Sequence, residues 1–368
     1  MRQRLAVGVV VLAIAGVSAV ASARGAPAQS HVSALAQSQV LKGFDDPLAA
    51  GTANFPTYHE LGVQIFEQDL LWAYVAPKRP GNPTNPDDPA YHWPAIINQD
   101  IAAARAYHIR IALQVVGAPP WANGGHAWQW APLRAQDFGN FVTAASQRYP
   151  YVHLWLIWSE PSRTAQFQPE VAAKPYATLS ATQSQAPHRY AEILDAAYGA
   201  LKRVSKANLV VGGMTYTTGD ISTVQWIENM RLPNGKPPRL DFYGHNPFSF
   251  RAPNLANPPS PDQQIDFSDL GRLAALVDRY LGRPGNRHPK LFIPEWTVPT
   301  EADTEFNFYV NPLVQAQWIS DAWHIARSWS RIYAFAWVGL HDSLPQTGGG
   351  LIQADGTQKP GYLAWKDG

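Results

Sequence analysis

Two glutamates stand where a folded chain can perform acid–base and nucleophilic chemistry. Glu160 follows the apolar run Tyr151–Trp158 (YVHLWLIW) and Ser159, and Pro161 behind it stops a strand from continuing. Glu295 follows Leu291–Pro294 (LFIP) and precedes Trp296. A carboxyl at the end of a buried strand loses water, which raises its pKa unless a donor compensates. That is the setting of a group that must hold a proton near neutral pH. Two such groups held about 5 Å apart suit a covalent double displacement, one protonating a leaving oxygen while the other attacks carbon. The plainer reading pairs each Glu with an arginine on the rim. Matched strand-end positions, each flanked by Trp, favour a shared site.

Other candidates are weaker. Glu67 and Asp69 could line the same pocket or form ordinary ion pairs, and Trp72 and Trp93 could form a subsite or pack under a loop. His341-Asp342 could meet a substrate or simply shape a turn. His126, His153, His188 and His324 are scattered without H-E-x-x-H spacing, so no catalytic metal is expected, and no other cofactor is implied. The absence of a G-x-S-x-G elbow argues against a serine hydrolase.

The elements that must position these residues alternate. Strands are expected at Gln39–Gly43, Gly62–Phe66, Arg110–Val116, Tyr151–Trp158, Leu209–Met214, Phe242–His245, Leu291–Ile293 and Arg331–Trp337. Helical patterns at Ile96–Tyr107, Ala135–Arg148, His188–Ser205, 268–281 and 313–329 separate them. Eight βα units close most economically as a single (β/α)8 TIM barrel. An open doubly wound sheet is the competitor, but no strand is followed by a Gly-rich phosphate loop. Three long Pro-rich stretches, 77–94, 251–266 and 299–312, each follow a strand and belong to the C-terminal face, where barrels build their sites.

Composition excludes several classes. With Lys+Arg 29 against Asp+Glu 28, the chain lacks the positive charge of a nucleic-acid binder. It has no Cys, so neither disulfides nor thiolate metal sites are available. Arg2 and Arg4, the apolar run Leu5–Ala21 and Ala21-Ser22-Ala23 read as a secretory signal peptide over 1–23, with a membrane anchor as the rival. A flexible segment over 24–38 and one catalytic domain over 39–368 are expected, secreted, without stable membrane insertion after cleavage, and monomeric.

Several motifs resemble one known group. Trp158-Ser159-Glu160-Pro161 is similar to the W-N-E-P motif after strand four of the clan A glycoside hydrolases, and Ile293-Pro294-Glu295-Trp296 resembles their strand-seven nucleophile motif. Pro119-Pro120-Trp121-Ala122 looks like the P-x-W-A turn of family 39 and related cellulase-like members. Asp241–Phe248 (DFYGHNPF) is like their D-x4-H-P-Y segment, and Leu351–Trp365 resembles the closing D-G-x-x-K-P-x-Y stretch. The resemblance spans most of 60–365 in consistent order. It implies a retaining glycoside hydrolase acting on an oligo- or polysaccharide, with Glu160 as acid/base and Glu295 as nucleophile. Trp121, Ser159, Trp296 and Glu67 then become expected substrate contacts, with Trp337 as an aromatic floor under the sugar. Three positions depart from the pattern. Ser159 replaces the usual Asn, and no Arg stands in Phe66–Asp69, where related enzymes often carry one. In the strand-six motif, His245 and Asn246 compete for the inward-facing position, which strand register decides. Because the mature chain is short, a cleft that accepts a glycan internally is expected. A non-catalytic glycan-binding barrel and a cell-wall transglycosylase are the alternatives.

Overall fold

A computed structural model describes residues 40–46 and 51–368. The expected signal peptide and the segment 24–38 fall outside the described residues. Eight strands run Leu41–Asp45 (β1), Ile65–Leu71 (β2), Arg110–Val116 (β3), Leu154–Ile157 (β4), Leu209–Tyr216 (β5), Phe242–Asn246 (β6), Lys290–Ile293 (β7) and Ile332–Val338 (β8). They close in sequence order, β1 pairing with β8, and every pair is parallel. This is the (β/α)8 barrel read from the alternation of strand and helix patterns.

Parallel strands need a crossover, and helices supply it. Ala95–Ala106, Ala135–Arg148, Gln185–Val204, Leu270–Leu281 and Pro312–Ser328 precede β3, β4, β5, β7 and β8. The Pro-rich loops follow β2, β6 and β7 and so rise from the C-terminal ends of the strands. Among the described residues no helix is long and apolar enough to cross a membrane.

Side-chain parity divides each strand between two apolar layers. The barrel interior holds Ile65, Ala112, Leu154, Leu156, Val211, Met214, Phe292 and Ala334. The other face meets the helices in a larger, aromatic-rich layer that includes Trp155, Tyr243, Phe335 and Trp337. Toward the C-terminal end the interior turns polar, and there the site forms. One strand changes phase on the way. β5 and β6 lose register between Gly212 and Thr215, and Gly213 takes φ +99° where any β-carbon would run into the Tyr243 ring. The extra residue makes Val211, Met214 and Tyr216 the inward positions, so the bulge aims Tyr216 into the site.

Strand β2 is longer than its apolar run suggests and begins at Ile65 rather than Gly62. The expected boundary stops at Phe66 because polar Glu67 and Asp69 interrupt the pattern. Both share the parity of inward-facing Ile65, so the strand continues through them to carry acids into the barrel mouth.

Candidate active site

Glu160 and Glu295 line one cavity of about 380 Å³ at the C-terminal mouth, together with Ser159, Arg163, Tyr216, Phe248, Glu305, Phe306 and Val338. The β4 ladder ends when the Trp158 N–H donates to the Val115 carbonyl. Trp158 and Glu160 then adopt left-handed backbone with φ of 67° and 41°. Each such residue costs of order 1–3 kcal/mol and persists only where surroundings over-determine it. Here the indole of Trp158 is anchored by donating to the Gln166 carbonyl at 2.9 Å and packs edge-on to Phe167. The reversed turn delivers Ser159 and Glu160 to the cavity.

Glu160 is 5% exposed and has two partners. Its Oε1 accepts a 2.9 Å hydrogen bond from Asn246 Nδ2, and its Oε2 is ion-paired with Arg163. The Arg163 guanidinium lies 4.6 Å over the Tyr216 ring, which fixes the cation against the wall. Burial is also the main reason that the Tyr216 hydroxyl is pushed up to about 12.

Glu295 stands in a different environment. Burial holds its carboxyl well above the usual range, and the charges of Glu160, Asp45 and Asp69 push the same way. A hydrogen bond from Asn246 opposes the rise. The Asn246 amide therefore lies between the two glutamates, and its Oδ1 has no partner among the described residues. This is consistent with the amide nitrogen turned toward both carboxyls.

Below Glu295 the mouth is lined with acids. Asp45 and Glu67 are register partners on β1 and β2, and Asp69 accepts a 3.0 Å hydrogen bond from Gln114 across β2 and β3. Glu67 is 4% exposed, with its Oε1 unpartnered among the described residues. Burial raises all three carboxyls, and Asp45 and Glu67 are raised further by neighbouring acids. No arginine from β2 enters this group, as the sequence of Phe66–Asp69 requires. The proton load of the mouth is thus set by burial and mutual repulsion.

The structure settles which expected contacts face this cavity. Ser159 lines it, Glu67 flanks Glu295, and Asn246 reaches both catalytic candidates. His245 does not. Asn246 takes the inward parity, so His245 points to the helix layer, 2.8 Å from both Thr215 Oγ1 and the Ile265 carbonyl, and burial lowers it to about 4. Trp337 is not a floor to the cavity. It shares parity with Phe335, opposite to Ala334, and its fully buried ring packs on Trp296 and Trp365. Trp296 is likewise core, between Phe267, Phe335 and Trp337. Trp121 lies away from the cavity, its indole donating to the Ala76 carbonyl and its face covered by Arg79. Asp342 is committed to a buried ion pair with Lys359 at 2.7 Å. Much of the wall was not among the expected contacts, Arg163 and Tyr216 included. Arg163 sits three residues past Glu160, which is a readable spacing, whereas Tyr216 is aimed by a bulge that no local pattern announces.

No family model matches the chain, and no curated protein matches it in sequence. Solved structures do match in fold. A family 39 glycoside hydrolase from the gut symbiont Bacteroides cellulosilyticus WH2 is similar at TM-score 0.60 and 15% identity, over 90% of this chain and 64% of that one. A monomeric beta-xylosidase from Caulobacter crescentus CB15 gives 0.58 and 17%, over 90% and 67%. An endo-beta-1,4-glucanase from Xanthomonas axonopodis pv. citri gives 0.53 and 11%, over 89% of this chain and 98% of that one. The chain thus spans about two thirds of the first two structures. At these identities the likeness is one of fold, and the fold is the barrel of family 39 and related clan A glycoside hydrolases.

Proposed function

We propose that the protein is a retaining glycoside hydrolase with Glu160 as acid/base and Glu295 as nucleophile. One observation carries the reading. Two glutamates from β4 and β7 wall a single cavity and share the amide of Asn246. The fold shared with glycosidases supports it, and so do the motifs around both residues.

In the first step a Glu295 oxygen attacks the anomeric carbon. The bond from that carbon to the leaving oxygen breaks, and Glu160 gives its proton to that oxygen. In the second step water attacks the same carbon, the ester to Glu295 breaks, and Glu160 takes the water proton. Arg163 is ion-paired with Glu160 Oε2 and so stands beside the carboxyl that hands its proton to the leaving oxygen. Asn246 can hold the two carboxyls apart in orientation while donating to whichever is charged. Glu295 reacts only when ionised, so the acids beneath it oppose the attack at low pH.

Glu295→Gln should lower kcat by about three orders of magnitude or more while leaving circular dichroism and Tm near wild type. Assays would use β-xylosides, β-glucosides and β-galactosides, with the first-formed anomer followed by NMR. Full activity in the variant, or an inverted product from wild type, would sink the assignment. Binding without any product across that panel would favour a glycan-binding barrel instead. The acid cluster without a β2 arginine is the feature that gives this alternative its place. Product transferred to an added sugar rather than to water would mark a transglycosylase. On the leader pattern alone we also propose export with cleavage after Ala23, giving Arg24 as the first residue of protein recovered from the medium.

A further inference from the structure

A continuous run of aromatic rings leads from the cavity to the surface. Tyr216 and Phe248 lie 5.5 Å apart, Phe248 and Phe306 5.2 Å, Phe306 and Phe308 6.0 Å, and Phe308 and Phe250 5.0 Å. The first three line the cavity itself, Phe248 being only 6% exposed, whereas Phe250 at the outer end is 51% exposed. The segment after β6 supplies Phe248 and Phe250, and the loop after β7 supplies Phe306 and Phe308.

Two features decide what such a run would hold. The cavity itself also carries polar side chains, among them Gln166, Thr297, Glu305, Gln346 and Thr347, but the rings that continue the run outward, Phe308 and Phe250, carry no hydrogen-bonding group for the hydroxyls of a further sugar. The rings are also tilted to one another, by 47°, 58°, 79° and 57° along the run. No two neighbouring rings are coplanar, so the run offers separate faces and edges rather than one extended stacking platform. The result is an edge-and-face trough whose outer part suits an apolar group. Its position within the reaction follows from Arg163, which bridges Glu160 and Tyr216. The run therefore starts beside the residue that protonates the leaving oxygen.

We propose that this run is a leaving-group subsite for an apolar aglycone, an alkyl or alicyclic group joined to the sugar, in place of the glycan chain expected from sequence. The inference rests on the glycosidase reading. Continuity with the cavity argues for part of the substrate rather than a second copy of the chain, because three of the five rings are walls of the cavity.

The test compares methyl, hexyl and cyclohexylmethyl β-glycosides of xylose, glucose and galactose with the corresponding disaccharides. The alkyl leaving groups have similar basicity, so their differences report binding rather than intrinsic reactivity. The hexyl-to-methyl ratio of kcat/KM should be about tenfold or more, as expected for a few buried methylenes. It should collapse toward unity in the doubly substituted Phe250→Ser/Phe308→Ser protein, with the ratio rather than either rate as the readout. Should the double variant fail to fold, Phe250→Ser alone should lower the ratio in part. Cleavage with equal hexyl and methyl values, or with disaccharides preferred over hexyl glycosides, overturns the subsite and leaves the glycosidase standing. If no substrate in the panel is cleaved, the subsite falls together with the glycosidase reading, an outcome told apart from the first by the absence of any product. A dimer in gel filtration that the same substitutions dissolve also overturns it, in favour of contact between copies.

Discussion

Glu295 must be charged to attack, yet its surroundings resist the charge. Burial, then Glu160, Asp45 and Asp69, all raise its pKa, and only the Asn246 hydrogen bond opposes them. The free enzyme therefore loses its nucleophile as pH falls through this raised value, and that loss defines the acid limb of kcat/KM. Asp69→Asn removes one of the charges while keeping the Oδ1 that accepts from Gln114. With less negative charge nearby, Glu295 releases its proton more readily, so the acid limb should move to lower pH. A pH profile of kcat/KM for wild type and variant measures this. An acid limb that stays in place, or moves up, would show that Asp69 does not act on the nucleophile. The two glutamates were legible in the sequence because an apolar strand ending in Glu is a strong local signal. Glu67 and Asp69 could be named as pocket candidates and Arg163 stands at a readable spacing, but Asp45 joins the acids, and the acids meet Glu295, only when β1, β2 and β7 share one mouth.

At the scale of elements, parity decides which expected residues can work. The alternating interior and helix-facing layers put Asn246 inside and His245 outside, and they put Trp337 against the helices while Val338 reaches the cavity. A family pattern read in one dimension does not reveal such a choice, because a shift of one residue exchanges the faces. Eight strands were readable from their apolar runs, but β2 was shortened by its own functional acids. The β5 bulge shows the same limit more sharply, since Gly213 at φ +99° re-phases the strand and turns Tyr216 inward. A β-carbon at Gly213 would lie 2.4 Å from the Tyr243 ring, in a backbone region that L-residues resist. Gly213→Ala should cost about 2–4 kcal/mol in urea unfolding. If the folded variant survives, its activity should fall as Tyr216 and Arg163 shift. A variant as stable as wild type would mean that the bulge is not held by this glycine.

Across the whole molecule, acids kept from water outside the site add a pH dependence of their own. Glu170, in the loop after β4, is 5% exposed, and neither of its oxygens has a hydrogen-bond partner among the described residues. Burial first, then the charge of Asp220, pushes it up to about 9. In the unfolded chain the same group ionises near 4.5. The folded state therefore holds a proton that the unfolded state releases between those values. Stability from this group is fully present below the unfolded pKa and is lost as pH rises toward about 9. For one fully shifted group the slope is about 1.4 kcal/mol per pH unit, and relaxation and water entry reduce it. Glu170→Gln keeps the shape of the protonated acid and removes the titration. Its Tm relative to wild type should rise with pH, by a few degrees at pH 8.5 and by about one degree or less at pH 5. Thermal unfolding across that range separates two explanations. A gain that grows with pH belongs to the buried proton, whereas an equal gain at both ends would assign the effect to packing and remove Glu170 from the molecule's pH response.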